Sequence, residues 1–233
     1  MGRQKPTVDI VIPAFNEETI ISATISECLR LPRYTVRVLV VVDGKTVDKT
    51  ASKAKKAGAT VIRTREKGGK GAIFRHSFSY LRSDYVIQID ADHQFQPKEI
   101  TKLVEPLRHG IDVTLGTRYQ QGSMVEMYSV SFLKLFGSFF LSFMTSLFAS
   151  QKITDVMAGF KGFRKDVLLS LSPRTNHFGY EAELVITAAK RKYKILNVPI
   201  TYTARPTGSS SVSSMKHGFL VLSTIIKTGL KRR

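Results

Sequence analysis

Tyr85-Val86-Ile87-Gln88-Ile89-Asp90-Ala91-Asp92 decides the fold. The run from Tyr85 to Ile89 is almost wholly apolar and stops at two carboxylates. Such a run suits a strand covered on both faces, with the acids in the loop just past its end. Three runs of the same character precede it: Val8 to Pro13 (VDIVIP), Val36 to Val42 (VRVLVVV) and Thr60 to Arg63. Helical patterns lie between them, from Asn16 and Glu17 through Leu29, from Asp48 to Ala57 and from Ala72 to Arg82. This alternation predicts a doubly wound, mostly parallel α/β sheet flanked by helices, with right-handed crossovers. Ligands of such sheets bind beyond the carboxyl ends of the strands. Pro13 to Glu17, Asp43, Lys67 to Gly71 and Asp90 to Asp92 all fall at those ends, so one crevice is expected to gather them.

Downstream, Pro97 to Arg108 reads as a helix, Asp112 to Gly116 as a strand and Glu181 to Lys192 as a helix. Ile195 to Tyr202 reads as a strand that Pro199 places at an edge or bulge. Phe132, Leu135, Phe136, Phe139, Phe140 and Phe143 follow helical spacing and make an apolar stripe. Leu135 to Gln151 carries no charge but lies at the lower limit for crossing a bilayer, so a buried or interfacial helix is expected. Residues 1–210 are expected to form one catalytic domain, and 211–233 a basic amphipathic tail.

The 233 residues hold 36 Lys and Arg against 18 Asp and Glu, a net charge of +18. That excess points to an anionic partner: nucleic acid, a lipid surface or a phosphorylated small molecule. Basic residues are scattered and no nucleic-acid-binding motif is present, which argues against the first. Cys28 is the single cysteine, so no intrachain disulfide forms. Met1 to Thr7 lacks the pattern of a signal peptide, and a cytoplasmic location is expected.

The chemistry centres on Asp90 and Asp92. Two carboxylates two residues apart can share a Mg²⁺ or Mn²⁺ ion, or divide a ribose and a cation between them. The plainer alternative is a strand-end turn with two solvated acids. Phe15 could stack on a base, with Asn16 or Glu17 bonding its edge; equally, Asn16 could cap the following helix. Asp43 could accept from a base or a ribose hydroxyl, or simply shape an Asp-Gly turn. Gly68-Gly69-Lys70-Gly71 could cradle phosphate through backbone N–H groups, although Thr64 and Gly71 rule out a P-loop. Arg118 and Arg205 are candidates to grip phosphate oxygens.

In order, these motifs resemble family 2 glycosyltransferases of the GT-A (Rossmann-like) fold. The order is V-x-I-P-x-F-N-E from Val8-containing strand to Glu17, Asp43, G-K-G-A at Gly69, D-A-D, and G-T-R-Y at Gly116 to Tyr119. Asp155 to Phe163 is similar to the D-x-x-x-G-F-x-x-F segment of polyprenyl-phosphate sugar synthases. Asn197-Val198-Pro199-Ile200 and Arg205 to Ser210 are similar to their E-V-P-I and R-x-x-G-x-S. The resemblance is nearest to dolichyl-phosphate mannose and glucose synthases and runs from about Val8 to Ser210.

The resemblance implies inverting, metal-dependent transfer of a hexose from GDP-mannose or UDP-glucose to a polyprenyl (dolichyl) phosphate. Pro13, Phe15, Glu17 and Asp43 would hold the nucleoside, with Lys70 and Asp90 also on the donor. Asp90, Asp92 and Gln94 would hold Mg²⁺ or Mn²⁺, and Arg118 and Arg205 would face phosphates. A phosphate acceptor is largely dianionic at pH 7 and needs no strong base; a glycan or protein hydroxyl would need one, and Asp155 would be the candidate. The chain departs from the family in Asp43-Gly44, usually Asp-Asp, and in having no Arg between Ser123 and Val130, where Lys134 is the first cation. The basic, apolar tail suits peripheral association with the cytoplasmic face of a membrane. A nucleic-acid-binding α/β protein is the reading from another class.

Overall fold

The computed structural model describes residues 5–65, 68–126, 132–205 and 214–231, with backbone only at 132–134 and 214–215. The chain runs through β1 (Thr7–Ala14), α1 (Ile21–Leu29), β2 (Thr35–Val42), α2 (Thr50–Lys56), β3 (Thr60–Arg63), α3 (Lys70–His76) and β4 (Tyr85–Gln88). It continues with α4 (Ile100–Arg108), β5 (Val113–Thr117), β6 (Met124–Val125), α5 (Phe132–Ala149), β7 (Lys161–Arg164) and α6 (Lys165–Leu171). It closes with α7 (Tyr180–Lys190), β8 (Ile195–Pro199), β9 (Thr201–Tyr202) and α8 (Ser214–Leu230).

Seven strands make one sheet in the order β3-β2-β1-β4-β7-β5-β8, all parallel except β7, which runs against both neighbours. This is the mostly parallel α/β sheet expected. Its central strands are apolar throughout because each face has its own core. Val8, Ile10 and Ile12 of β1 pack on the α1 and α4 side, whereas Val11 faces the opposite core with Phe74, Phe163 and Leu184. The antiparallel β7 was not foreseen: Lys161-Gly162-Phe163-Arg164 has too many cations to read as a strand, yet Lys161 is fully buried.

Several boundaries shift for local reasons. The first helix starts at Ile21, not at Asn16. Asn16 adopts a left-handed φ of 52°, and its side-chain oxygen accepts the Val47 N–H, so it caps no helix. Pro13 lies inside β1 rather than in the exit turn, and pairing with β4 ends before it, at Val11. Its missing N–H therefore costs no bond to that strand. The predicted strand 195–202 divides: β8 forms the sheet edge, where Pro199 was expected, and β9 pairs with β6 in a separate ribbon.

Helix α8 packs on α5 and α7, and Val221 and Ile225 are buried in the core under the α7 face. The outward faces stay apolar: Phe136, Phe139, Phe140, Phe143 and Leu147 on α5, and Phe219, Leu220, Ile226 and Leu230 on α8, are all exposed. The stripe seen in the sequence is thus not core packing for the phenylalanines from 136 onwards. Among the described residues, no helix is long and apolar enough to cross a membrane.

Candidate active site

Asp90 and Asp92 leave the end of β4 in the crevice that the parallel topology predicts. The buried Ala91 between them is pinned by its carbonyl, which accepts from the Thr24 hydroxyl at 3.2 Å. Asp90 pairs with Lys70 at 2.7 Å. Behind it lies Gly159, where a Cβ would collide with the Asp90 carboxylate, so only glycine gives the acid its place. Asp92 accepts the Gln94 N–H at 3.3 Å. Burial pushes the Asp90 carboxyl up to about 6, with Lys70 opposing and Asp92 and Glu181 adding to the shift. Burial also raises Asp92, against the pull of Arg205. Two half-buried acids of like charge are a seat for cationic charge.

Lys70 opens α3, and its ammonium bridges two acids: Asp90 and, at 2.9 Å, Glu181 of α7. Burial alone would lower its pKa, but these two charges hold it well above the usual lysine range. Glu181 is only 1% exposed and takes Lys161 on its other oxygen at 2.6 Å. The Lys161 ammonium also donates to the Val156 carbonyl at 3.0 Å and to the Ala158 carbonyl, which satisfies all three of its donors. Two backbone N–H groups at the end of the Gly68–Gly71 turn are already taken within the fold. The N–H groups of Gly71 and Ala72 both point at the Asn176 carbonyl, at 2.8 and 3.2 Å. The Lys70 side chain enters the site through its pair with Asp90.

A second pair closes the other end. Arg118, just past β5, grips Asp155 in a fork: Nε to Oδ2 at 2.7 Å and Nη2 to Oδ1 at 3.0 Å. The Arg118 backbone N–H adds a third bond at 3.1 Å. The guanidinium lies over the rings of Tyr119 and Tyr202, 4.9 Å from each centroid. Both oxygens of the buried Asp155 are therefore engaged, and the acid serves as the holder of Arg118 rather than as an open base. Tyr119 in turn stacks on Phe139 of α5 at 4.7 Å, joining this end of the site to the exposed aromatic face.

Arg205 pairs with Glu17 across the mouth, and its charge acts on Asp92. Phe15 beside it is 39% exposed, open enough for a ring to stack there. Asp43 is buried and accepts the Lys45 N–H on Oδ1 at 2.9 Å, which shapes its own turn. The Gly44 that replaces the family's second acid is forced by space: a Cβ would come within 2.7 Å of the Thr64 carbonyl. Pro206 to Ser210 of the R-x-x-G-x-S segment, Lys67, and the Lys134 side chain lie outside the described residues. Glu181 and Lys161 are site residues that sequence reasoning missed. The signal was an acid set among Ala182, Leu184, Val185 and Ile186, and a lysine enclosed by Phe160 and Phe163.

A divalent cation fits this donor set. Asp90 and Asp92 offer hard carboxylate oxygens, and the Asp92 charge helps to raise the Asp90 carboxyl. Gln94 gives its amide nitrogen to the Thr203 carbonyl at 3.0 Å, which leaves its amide oxygen as the atom a cation would take. Among the described residues, no cluster of three or more His, Cys, Asp or Glu is poised for a metal, so phosphate oxygens of a ligand would complete any coordination.

The sequence model of Glycosyl transferase family 2 matches residues 9–171, from the start of β1 through α6. The chain belongs to glycosyl transferase family 2. It is 29% identical over 213 residues to a dolichol-phosphate mannosyltransferase of Pyrococcus furiosus, covering 88% of this chain and 59% of that protein. It is 27% identical over 224 residues to a dolichyl-phosphate hexose transferase of Haloferax volcanii, covering 96% of this chain and 94% of that one. Among solved structures, glucosyl-3-phosphoglycerate synthase from Mycobacterium tuberculosis, in complex with Mn²⁺, UDP and phosphoglyceric acid, superposes with a TM-score of 0.74 at 20% identity. The alignment covers 98% of this chain and 80% of that one, and it establishes the shared fold. This family 2 glycosyltransferase therefore carries its motifs on a GT-A sheet.

Proposed function

We propose that this glycosyltransferase moves a hexose, mannose or glucose, from GDP-mannose or UDP-glucose to a polyprenyl phosphate with inversion at the sugar carbon. One observation carries the acceptor assignment: Asp155, the acid that would serve as base for a hydroxyl acceptor, is taken on both oxygens by Arg118. A phosphate monoester dianion is already a nucleophile and needs no such base. The names of the Pyrococcus and Haloferax relatives support the same acceptor class.

Asp90, Asp92 and Gln94 would hold Mg²⁺ or Mn²⁺, which would offset charge on the departing diphosphate. Phe15 and Glu17, with Pro13 and Asp43 shaping the floor, would receive the nucleoside. Arg205 at the mouth and Lys70 within would face donor phosphates. Arg118, pre-oriented by Asp155 and two tyrosine rings, would hold the acceptor phosphate in line with the sugar. The exposed aromatic face of α5 adjoins Tyr119, so the lipid chain would leave the Arg118 end along apolar surface. Lys216, Lys227 and Lys231, all exposed on α8 or at its end, add charge suited to anionic headgroups on the cytoplasmic face.

The test presents GDP-mannose and UDP-glucose in turn, with Mn²⁺ or Mg²⁺, to the full chain with polyprenyl phosphate in detergent and with glycan or peptide acceptors. Label should pass to the lipid phosphate. Transfer to a hydroxyl acceptor with none to lipid would overturn the proposal.

A further inference from the structure

In the Asp90–Lys70–Glu181–Lys161 chain, Glu181 and Lys161 have no part in the roles assigned above. Four charged groups, two of each sign, run from the crevice into the core with separations of 2.7, 2.9 and 2.6 Å. Their charges sum to zero, which is how buried ions are tolerated. Among the described residues, the Glu181 carboxylate takes the two lysines and also the Gln88 Nε2, at 3.4 Å. Its ion-pair link toward the site runs through Lys70, and its charge adds to the field at Asp90.

We propose that Glu181, anchored by Lys161, is a positioning residue that gives Lys70 a second carboxylate, so that the ammonium can withdraw from Asp90 when a divalent cation takes that acid. The inference rests on the reading that Asp90 and Asp92 hold the cation. Three features carry it. Lys70 already lies within ion-pair distance of both acids, so leaving one does not strand the charge. Glu181 cannot follow it, because Lys161 holds its other oxygen and is itself fixed to the Val156 and Ala158 carbonyls. Asp90 cannot retreat either, because its carboxylate abuts Gly159. With both acids fixed, the flexible lysine stem is the part free to move. The Phe178 ring, 5.5 Å from the ammonium, adds a cation-accepting surface beside it.

The experiment measures Mn²⁺ binding to the metal-free full-length protein by titration calorimetry and by loss of the free-Mn²⁺ EPR signal. Lys70→Met removes the resident cation and should tighten Mn²⁺ binding about tenfold, whereas Glu181→Gln should weaken it about tenfold by tying Lys70 to Asp90. Because Glu181 acts through Lys70, Glu181→Gln in the Lys70→Met background should change affinity by less than about threefold. A through-space field from Glu181 would shift both backgrounds equally, and that result overturns the proposal, as does unchanged or weaker binding in Lys70→Met. Should Glu181→Gln fail to fold, Glu181→Gln/Lys161→Met removes one charge of each sign and carries the same expectation. Asp92→Asn tests the underlying reading separately: if it binds Mn²⁺ as the wild type does, the carboxylate pair is not the metal site.

Discussion

Arg118–Asp155 and Lys70–Asp90 are both ion pairs between a strand-end or helix-start cation and an acid lining one crevice, yet they are built for opposite purposes. Arg118 makes two parallel side-chain bonds to one acid and is sandwiched between two rings. Lys70 is a point charge shared between two acids, with no fork to fix its direction. The first pair specifies a geometry; the second keeps a charge balance that a ligand can rearrange. Under the proposed function, the first would aim an acceptor phosphate, and the second would serve a donor site that takes up and releases a cation.

The comparison can be broken most directly at the carboxylates. Asp92→Ala should lower metal-dependent transfer by at least about 100-fold, because the charge of the leaving group would lose its counterion, while the melting temperature stays close to wild type. Full activity in that variant would remove the donor half of the contrast. Next come the two cations. Arg118→Ala strands the buried Asp155 and should cost about 3–5 kcal/mol by urea unfolding. Lys70→Met should cost clearly less, since Asp90 sits at the crevice wall and can take up a proton. Equal losses would mean that the two pairs are not different in kind.

A pH series sharpens the point further. Because burial lifts the Asp90 carboxyl to about 6, the folded, metal-free protein holds that proton more tightly than the unfolded chain, whose aspartates titrate near ~3.9. The resulting stabilisation is complete below the unfolded value and is lost as pH rises through 6. The stability of wild type relative to Asp90→Asn should therefore fall on the order of 1 kcal/mol per unit between about pH 4 and 6, and level off above. A flat difference would show that Asp90 is not strained. The smallest effect belongs to the rings on Arg118. Tyr202→Leu should cost about 0.5–1 kcal/mol of stability, and more in kcat/KM than in melting temperature if the ring aims the guanidinium.

The sequence disclosed what depends on apolar patterning. β1, β2 and β4 were legible because central parallel strands are apolar on both faces, and the crevice followed from where those strands stop. It concealed what depends on charge being buried. Lys161 and Glu181 looked like surface residues because composition cannot reveal that two lysines and two acids neutralise one another out of water. The same blindness hid β7, whose strand carries one of those lysines. Asn16 misled for a related reason: its capping chemistry is real but goes to Val47, a partner 31 positions away. The pairing of Arg118 with Asp155 was equally out of reach, since 37 positions separate them and each alone is a plausible surface charge.

Gly159 is a small residue with a disproportionate hold on Asp90. Its φ lies outside the left-handed range, so alanine is admissible to the backbone torsion, and the three atoms a methyl would meet first, all within 2.4 Å, belong to that one carboxylate. A single added carbon would therefore press first on the acid, before any other group. Selection for abundance and selection for catalysis see such a position differently: a library sorted on expression would retain Gly159→Ala, and one sorted on product would discard it.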